Sequence, residues 1–259
     1  MSDFLDILAS VAQGTIDDKY YYEAKPGKNS HVSLKKAILD CRANPVIAEI
    51  KVASPSAGVI KQDAEPSLIA RAMEKGGAVA LSVLTEPNYF RGSLEALAEA
   101  RAAVNLPILM KDIILNPIQI ETASKMGANA ILLIKSLFDR GYSGKSIDEM
   151  IKVAHVLGLE VLLETHTQSE YKSALESDAD LIGINNRDLA TLNVNLQTTK
   201  DILESNSTKG KIIISESGIK SVEDLVFLRS SGVRAFLIGS AIMSSNNIEE
   251  KVREFVNAK

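Results

Sequence analysis

The sequence predicts an α/β protein with one domain, a single (β/α)8 TIM barrel with an N-terminal helical extension before the first strand. Two observations indicate this fold. Short runs rich in Val, Ile and Leu alternate with longer segments whose apolar residues recur three and four positions apart. The chain has 259 residues, which suits one barrel of about 250 residues. The apolar runs cover residues 46–51, 79–84, 107–111, 130–134, 160–164, 181–184, 211–215 and 235–238.

These runs are predicted to be parallel strands. Strands buried on both faces read as continuous apolar runs, and alternation with helices joins parallel strands through right-handed crossovers. An open doubly wound sheet is the competing architecture. Such a sheet usually has fewer strands and often a Gly-rich first turn, and the sequence has no G-x-G-x-x-G motif. We therefore predict the closed barrel.

The segments between the runs carry start and stop signals of helices. Residues 221–232 open with a capping box formed by Ser221 and Asp224 and stop at Gly232. Residues 67–77, like residues 221–232, have apolar residues three and four positions apart. Glycine also stands where other helices should end before the next strand, at Gly77, Gly127 and Gly158.

Residues 1–45 precede the first predicted strand and are predicted to form a helical extension that covers one end of the barrel, which residues 46–259 form. A short helix with one apolar face is expected near the start, a loop over residues 20–30 and a second helix over residues 32–41. The apolar face would comprise Phe4, Leu5, Ile7, Leu8 and Val11. Surface packing is the expected role of Tyr20, Tyr21 and Tyr22, rather than lining a site.

Composition narrows the class of protein. The 29 Lys and Arg against 33 Asp and Glu give a net charge of −4, which argues against nucleic acid or an anionic membrane as the main partner. Cys41 is the only cysteine, so neither an intramolecular disulfide nor a cysteine-built metal site is expected. The start of the chain lacks a secretory signal and no apolar stretch approaches 18 residues, so we expect a cytoplasmic protein.

Polar residues stand at the ends of most predicted strands, where the active sites of these barrels lie. Glu49 and Lys51 are two positions apart and would project from one face of the first strand. The later strand ends offer Lys111, Glu164, Asn185 with Arg187, and Glu216 with Ser217. One such charge is usually a solvated edge residue, but a series at successive strand ends indicates a shared site. Crowded opposite charges there should have displaced pKa values that suit proton transfer.

The loops after the last two predicted strands carry a second signal. SESGI at 215–219 and IGSAIM at 238–243 each place Gly beside Ser directly after a strand. In these barrels the same two loops often bind phosphate through backbone N–H groups, and glycine allows the close approach. A phosphate site at Gly218, Gly239 and Ser240 is therefore predicted.

These motifs resemble those of the indole-3-glycerol phosphate synthase family. The resemblance runs from about Val46 to the final helix, and the first 45 residues match only as a helical extension. Its signatures are AEIKVASPSAG at 48–58, SVLTEPNYFRGS at 82–93, PILMKDIILNPIQI at 107–120, GANAILLI at 127–134, IGINNRDL at 182–189, SESGI at 215–219 and FLIGSAIM at 236–243.

The resemblance implies a carbon–carbon lyase of tryptophan biosynthesis that needs no cofactor and no metal. It would convert 1-(2-carboxyphenylamino)-1-deoxy-D-ribulose 5-phosphate into indole-3-glycerol phosphate, carbon dioxide and water. Lys111 matches the general acid that protonates the carbonyl oxygen, and Glu164 the second acid–base group. Lys51 matches a lysine that contacts substrate anions and acts in dehydration, and Glu49 a glutamate that pairs with the lysines. Which of these groups carries the dehydration protons stays open.

The resemblance also implies the rest of the site. Asn185 and Glu216 complete the catalytic network. The substrate-binding residues would be Ser54, Arg187 and Ser217, with Phe90, Leu133 and Ile113 against the anthranilate ring, and the phosphate-binding residues Gly218, Gly239 and Ser240.

The sequence departs from the family pattern at a few positions. Ile113 stands where the family usually has an aromatic residue, and Val52, Ala53 and Ala57 replace residues that are often basic. Thr165 and His166 follow Glu164 where acidic or small residues are more usual, and we expect His166 to be a solvated loop residue rather than a catalyst. Asp112 either orients Lys111 or makes a structural contact.

The sequence leaves two alternative functions open. One is another phosphate-binding barrel, such as phosphoribosylanthranilate isomerase or a phosphoribosyl-imidazole isomerase, which would use a Cys/Asp or Asp/Asp couple. The other is a barrel that only binds a phosphosugar or a partner protein. The expected partner is a small phosphorylated substrate, without nucleic acid or membrane. We expect a monomer, with weak association with other tryptophan-pathway enzymes as a further possibility.

Overall fold

Eight parallel strands close into a barrel in a computed structural model that describes residues 3–28, 30–54, 58–60 and 65–259, without the side chains of Ser54 and Val59. From β4 to β10 each strand pairs with the next along the chain, and β1 closes the ring by pairing with both β4 and β10. The barrel strands are β1 Val46–Ile50, β4 Ala80–Leu84, β5 Ile108–Lys111, β6 Ala130–Ile134, β7 Glu160–Thr165, β8 Leu181–Asn185, β9 Ile212–Glu216 and β10 Ala235–Ile238. A short antiparallel pair, β2 Ala53–Ser54 and β3 Gly58–Val59, follows β1.

Helices connect the strands. They are α1 Phe4–Asp17, α2 Leu34–Asp40, α3 Pro66–Lys75, α4 Leu94–Ala103, α5 Pro117–Lys125, α6 Lys135–Asp139, α7 Ile147–Val156, α8 Gln168–Leu175, α9 Gln197–Glu204, α10 Val222–Ser230, α11 Ser240–Met243 and α12 Ile248–Val256. The capping box of Ser221 and Asp224 is present at the start of α10. Gly77, Gly127, Gly158 and Gly232 all have positive φ, the left-handed conformation that ends a helix at little cost for glycine.

The predicted barrel is confirmed, and each predicted strand lies within one residue of an observed one. The strands are buried along almost their whole length, because their inner faces fill the barrel and their outer faces pack against helices. The pattern of buried residues therefore identifies strands, but it does not say which face of a strand points inward.

The described residues before β1 form two α-helices and a 3₁₀ helix, Tyr20–Glu23, which lies where the sequence predicted a loop. Tyr22 is 59% exposed, as expected for surface packing, whereas Tyr21 is buried and its hydroxyl donates to Asp112 Oδ1 at 3.0 Å. The Tyr20 hydroxyl accepts from the Leu94 backbone N–H at 3.0 Å. The expectation of surface packing was therefore wrong for Tyr21. Its hydrogen bond to Asp112 fixes the N-terminal extension to the barrel. The division into residues 1–45 and 46–259 stays a prediction.

Within the described residues, no helix has both the length and the apolar composition that a membrane crossing requires.

Candidate active site

A cavity of about 430 Å³ opens at the C-terminal ends of the barrel strands. Residues from all parts of the chain line it, because the carboxyl ends of parallel strands meet at one rim. The predicted site residues that line it are Glu49, Lys51, Phe90, Lys111, Ile113, Glu164, Asn185, Arg187, Glu216, Ser217, Gly218, Gly239 and Ser240. The convergence of these side chains is the geometry that the sequence predicted.

Glu49 and Lys51 form an ion pair on one face at the end of β1, with 2.8 Å between Lys51 Nζ and Glu49 Oε1. Burial opposes the ionisation of Glu49, but the charges of Lys51 and Lys111 outweigh it and hold the pKa of Glu49 below its ordinary value. Gly239 lies against this carboxylate, since a Cβ at that position would overlap Glu49 Oε1. Glu49 is therefore a fixed anion in the cavity wall.

Lys111 ends β5 and faces Glu164 near the end of β7, with 3.9 Å between Lys111 Nζ and Glu164 Oε2. Burial tends to lower the pKa of Lys111, but Glu164, Glu49 and Glu216 raise it above its ordinary value. The lysine is thus an ammonium at neutral pH and can donate a proton. Among the described residues, Glu164 Oε2 has no hydrogen-bond partner, so this oxygen is available to a ligand.

Glu216 ends β9 beside Asn185 of β8, the two being paired in register. Burial and the nearby Glu164 raise the pKa of Glu216 well above its ordinary value, although Lys111 acts in the opposite sense. Neither carboxyl oxygen of Glu216 has a hydrogen-bond partner among the described residues. The pKa values of Glu49 and Glu164 are therefore lowered in this cavity, whereas that of Glu216 is raised.

Contrary to the sequence-based expectation, His166 is not a solvated loop residue. Its side chain is 10% exposed, with Nε2 at 3.2 Å from Glu164 Oε1 and Nδ1 at 3.6 Å from Glu170 Oε2. Burial acts to lower the pKa of His166, but the two carboxylates raise it to about 9. The signal that could have found this contact is Glu170, four positions after His166 in the first turn of α8.

Arg187 and its neighbours shape the loop after β8. The Arg187 backbone N–H donates to Asn185 Oδ1 at 3.0 Å, and its guanidinium Nη1 donates to the Leu192 carbonyl at 2.9 Å. Sequence reasoning missed Asn186, which is buried. Its Nδ2 donates to the carbonyls of Glu216 and Ser217, both at 3.0 Å, and so joins this loop to the end of β9.

The predicted phosphate-binding residues Gly218, Gly239 and Ser240 line the same cavity. Ser217 and Gly218 both have positive φ, 64° and 92°, which turns the chain sharply after β9. Ser240 is the first residue of α11 and follows Gly239. The two glycines leave backbone N–H groups open to close approach by a ligand.

Apolar side chains form the remaining wall. Phe90 and Ile113 line it, and the backbone N–H of Phe90 donates to Glu86 Oε2 at 2.9 Å. Leu133 is fully buried but does not line the cavity, whereas Leu132 and Ile134 do. Side chains alternate between the two faces of a strand, so the prediction chose the wrong face of β6. The Ser54 side chain lies outside the described part of the chain.

The N-terminal extension contributes to the cavity, which the sequence did not specify. Phe4 and Leu8, one turn apart on α1, are among the lining residues. Leu8 is buried and Phe4 packs against the core and edge-on against Tyr89, with 5.3 Å between ring centroids. The extension therefore closes part of the barrel mouth.

Asp112 makes structural contacts instead of orienting Lys111. Its Oδ1 accepts from the Tyr21 hydroxyl and from the Ile113 backbone N–H, and its Oδ2 accepts from the Thr85 hydroxyl. Burial raises the pKa of Asp112 to about 6 against the effect of these donors. Elsewhere in the described chain, no group of three His, Cys, Asp or Glu residues has the arrangement of a metal site.

Comparison with known proteins decides the family. A family model described as indole-3-glycerol phosphate synthase matches residues 11–255. The chain belongs to the indole-3-glycerol phosphate synthase family. A relative of that name from Methanocaldococcus jannaschii is 46% identical over 88% of this chain and 85% of its own length. Another, from Aromatoleum aromaticum, is 41% identical over 94% of this chain and 95% of its own length.

The family membership confirms the resemblance in the strand-end motifs and extends it into the N-terminal helices, since the match begins at residue 11. Among solved structures, an N-acetylmannosamine-6-phosphate 2-epimerase from Clostridium perfringens has a TM-score of 0.61 at 14% identity, covering 83% of this chain and 93% of that one. At this identity the likeness shows the barrel fold alone.

Proposed function

We propose that the protein catalyses the ring closure of 1-(2-carboxyphenylamino)-1-deoxy-D-ribulose 5-phosphate to indole-3-glycerol phosphate, with loss of carbon dioxide and water. The observation that carries this proposal is the arrangement of the cavity. The Lys111 ammonium faces Glu164 Oε2, which has no hydrogen-bond partner among the described residues, and the glycine turns at Gly218 and Gly239 line the same cavity. Such a cavity suits a ligand with a reacting ketone at one position and a phosphate at another.

Lys111 is the proposed acid of the first step. The aryl carbon that bears the carboxylate attacks the ketone carbon, and the electrons of the C=O bond move to oxygen as the new C–C bond forms. An aryl carbon is a weak nucleophile, so the oxygen must receive a proton as attack occurs. The raised pKa of Lys111, caused by Glu164, Glu49 and Glu216 against the effect of burial, keeps this proton donor charged at neutral pH.

The carboxylate then leaves the aryl carbon as carbon dioxide, and the electrons of the broken C–C bond restore the aromatic ring. Dehydration follows, in which the hydroxyl takes a proton and departs as water while a base accepts a proton from the ring that becomes indole. Lys51 is the proposed acid, since it lies beside Glu49 in the cavity wall. Glu164 and Glu49 are the candidate bases because opposite charges keep both ionised.

The remaining residues bind the substrate. Backbone N–H groups near Gly218, Gly239 and Ser240 are proposed to hold the phosphate, and Arg187 and Ser217 to contact the polar chain between phosphate and ring. Phe90, Leu132 and Ile134 offer an apolar surface for the anthranilate ring. Ile113 stands where the family usually has an aromatic residue, so this surface has one aromatic side chain fewer to stack on the anthranilate ring.

The isomerase alternatives are not favoured. They need a Cys/Asp or Asp/Asp couple at the barrel mouth, whereas Cys41 lies before β1 and Asp112 is held by Tyr21, Thr85 and the Ile113 backbone. The same proposal includes the finer class of the enzyme, a carboxy-lyase. It also includes a monomeric state, association with other tryptophan-pathway enzymes and a cytoplasmic location.

Turnover with mass balance tests the function. Purified protein is mixed with the proposed substrate, the product is followed by indole fluorescence, and the released carbon dioxide is measured in the same reaction. We expect about one carbon dioxide for each indole formed, as the chemistry above requires. An altered sugar phosphate formed without carbon dioxide would point to an isomerase, and an unchanged substrate would point to a binding protein.

A further inference from the structure

His166 lies behind the carboxylate of Glu164, on the side away from the substrate cavity. It directly follows β7, and its ring is not among the cavity-lining residues. Nε2 is 3.2 Å from Glu164 Oε1, whereas Glu164 Oε2 faces Lys111 at 3.9 Å. The two oxygens of Glu164 therefore have different surroundings.

Glu170 holds the other side of the imidazole ring. Its Oε2 accepts from the His166 backbone N–H at 2.8 Å and lies 3.6 Å from Nδ1, and its Oε1 accepts from the Ser136 hydroxyl at 3.0 Å. Glu170 is also tied to the start of α8, where its backbone N–H donates to the Thr167 hydroxyl at 3.2 Å. A row of alternating charges thus runs from Lys111 through Glu164 and His166 to Glu170.

We propose that His166 is a positioning residue for Glu164. The imidazolium of His166 holds Glu164 Oε1 and its negative charge in place, and it leaves Glu164 Oε2 as the oxygen that acts on the substrate. For its kinetic part, this inference rests on the proposed function. His166 itself does not touch the substrate.

Glu216 shows what an equally buried carboxyl does without such a partner. Glu164 and Glu216 are both 1% exposed and both face Lys111 from strand ends of the same barrel. Burial raises the pKa of both, yet contact with His166, followed by Lys111, lowers that of Glu164 to about 2, whereas the pKa of Glu216 is raised well above its ordinary value. The two environments differ in their neighbouring charges, since Glu164 has His166 beside it whereas Glu216 has the negative charge of Glu164.

The groups that face His166 come from three elements. Glu164 of β7 and Glu170 of α8 are in direct contact with the ring, and Asp188 in the loop after β8 is a more distant carboxylate. Lys111 is a cation beside the other oxygen of Glu164. All three carboxylates favour the charged imidazole. Because Glu164 is the carboxylate closest to the ring, loss of the His166 charge should destabilise the anionic form of Glu164 more than that of the other two.

The kinetic test compares His166→Gln and His166→Leu with the wild type from pH 5 to pH 8.5. Leucine removes the positive charge, so the pKa of Glu164 rises and a smaller fraction of Glu164 is ionised at low pH; that fraction is halved when the pKa reaches the assay pH. We expect kcat of His166→Leu to fall about twofold or more at pH 5 relative to the wild type, to recover towards pH 8, and KM to change little. Glutamine keeps a polar side chain beside Oε1 and should show a smaller loss with the same pH dependence.

His155→Gln is the matched control. His155 also pairs with a carboxylate, with 2.9 Å between Nε2 and Asp180 Oδ2, but Asp180 precedes β8 at the opposite end of the barrel. This variant should keep the kcat profile of the wild type. A loss in His166→Leu that is equal at every pH, or no loss at all, would overturn the proposal while leaving the enzyme activity of the wild type established.

Histidine titration by NMR tests the pair without substrate, and the chain has only 3 His to assign. We expect the pKa of His166 near 9, because Glu164 and Glu170 outweigh burial, and a fall of about one unit or more in Glu164→Gln, where one opposite charge is lost. Titration at or below the ordinary value in the wild type would refute the pair. A high pKa in a protein without turnover would instead uphold the pair and refute the proposed function.

Discussion

Lys111 Nζ lies 3.9 Å from Glu164 Oε2, and in the described part of the chain that oxygen has no hydrogen-bond partner. At this separation the partly buried ammonium and the buried carboxylate oxygen can both reach one polar atom that lies beside them. A carbonyl or hydroxyl oxygen of a substrate would fit that position, with the lysine as donor.

The first prediction concerns Lys111→Ala. Removing the proposed general acid takes away transition-state stabilisation, and kcat should fall about 10²- to 10⁴-fold. Indole fluorescence measures the rate. Lys36→Ala is the control, because Lys36 is 74% exposed in a surface ion pair with Asp40 and should give wild-type turnover. Normal turnover in Lys111→Ala would remove Lys111 from the mechanism.

Gly239→Ala should impair catalysis through Glu49. The added Cβ would overlap Glu49 Oε1, and the buried carboxylate could relieve the contact only by moving away from Lys51. Small displacements of catalytic groups cost up to about a hundredfold in rate, so we expect kcat to fall about ten- to a hundredfold.

Gly14→Ala is the matched control for that change. Gly14 lies inside α1 with no atom within 4 Å of an added Cβ, so alanine there should stabilise the fold by about 0.5–1 kcal/mol and leave kcat unchanged. If Gly239→Ala had wild-type kcat, Glu49 would not need its present position.

Ser240→Asp should weaken binding of the phosphate. A carboxylate beside a bound phosphate repels it, at a cost of about 1–4 kcal/mol at 4 Å between the dielectric of water and that of a protein surface. KM should therefore rise about tenfold or more with a small change in kcat. Ser244→Asp, at the exposed other end of α11, should leave both constants unchanged. A fall in kcat alone would mean that the phosphate binds elsewhere.

Glu216→Gln should stabilise the protein increasingly as pH rises. Burial and Glu164 raise the folded-state pKa of Glu216 above the value in the unfolded chain. The folded state therefore holds this proton more tightly, and the stability that it contributes is present below about pH 4.5 and is lost as pH rises through the folded-state pKa. Glutamine resembles the protonated carboxyl and does not titrate.

Urea unfolding at pH 5 and pH 8 measures this difference. The free energy of unfolding of the variant should exceed that of the wild type by more at pH 8 than at pH 5. The increase should be about 1 kcal/mol for each unit of the Glu216 pKa shift that lies within this pH range. Glu121→Gln, at an exposed position on α5, should show a nearly constant difference. An unchanging difference for Glu216→Gln would show that this carboxyl is ionised in the folded state.

The sequence was sufficient for the barrel and for the rim of the site. Continuous apolar runs mark strands buried on both faces, and parallel strands bring their carboxyl ends together, so Glu49, Lys111, Glu164 and Glu216 could be placed at one rim. The inward face of β6 could not be read in the same way. Its residues are all apolar and all buried, so nothing in the pattern distinguishes Leu133 from Leu132 or Ile134.

The surroundings of individual groups were harder to predict because they depend on distant parts of the chain. The burial of His166 follows from Glu170 in α8 and Ser136 in α6, and that of Tyr21 from its contact with Asp112. The opposite pKa shifts of Glu164 and Glu216 arise from burial together with the placement of neighbouring charges of both signs, which residue types at strand ends do not reveal.

A crystal structure with bound indole-3-glycerol phosphate tests the central claim most directly. We expect one ligand to bridge the cavity, with its phosphate on the backbone N–H groups around Gly218, Gly239 and Ser240 and its indole ring between Phe90 and the Lys111–Glu164 pair. A phosphate bound at Lys51 and Arg187 with the glycine turns empty, or a ligand outside the barrel mouth, would contradict the account.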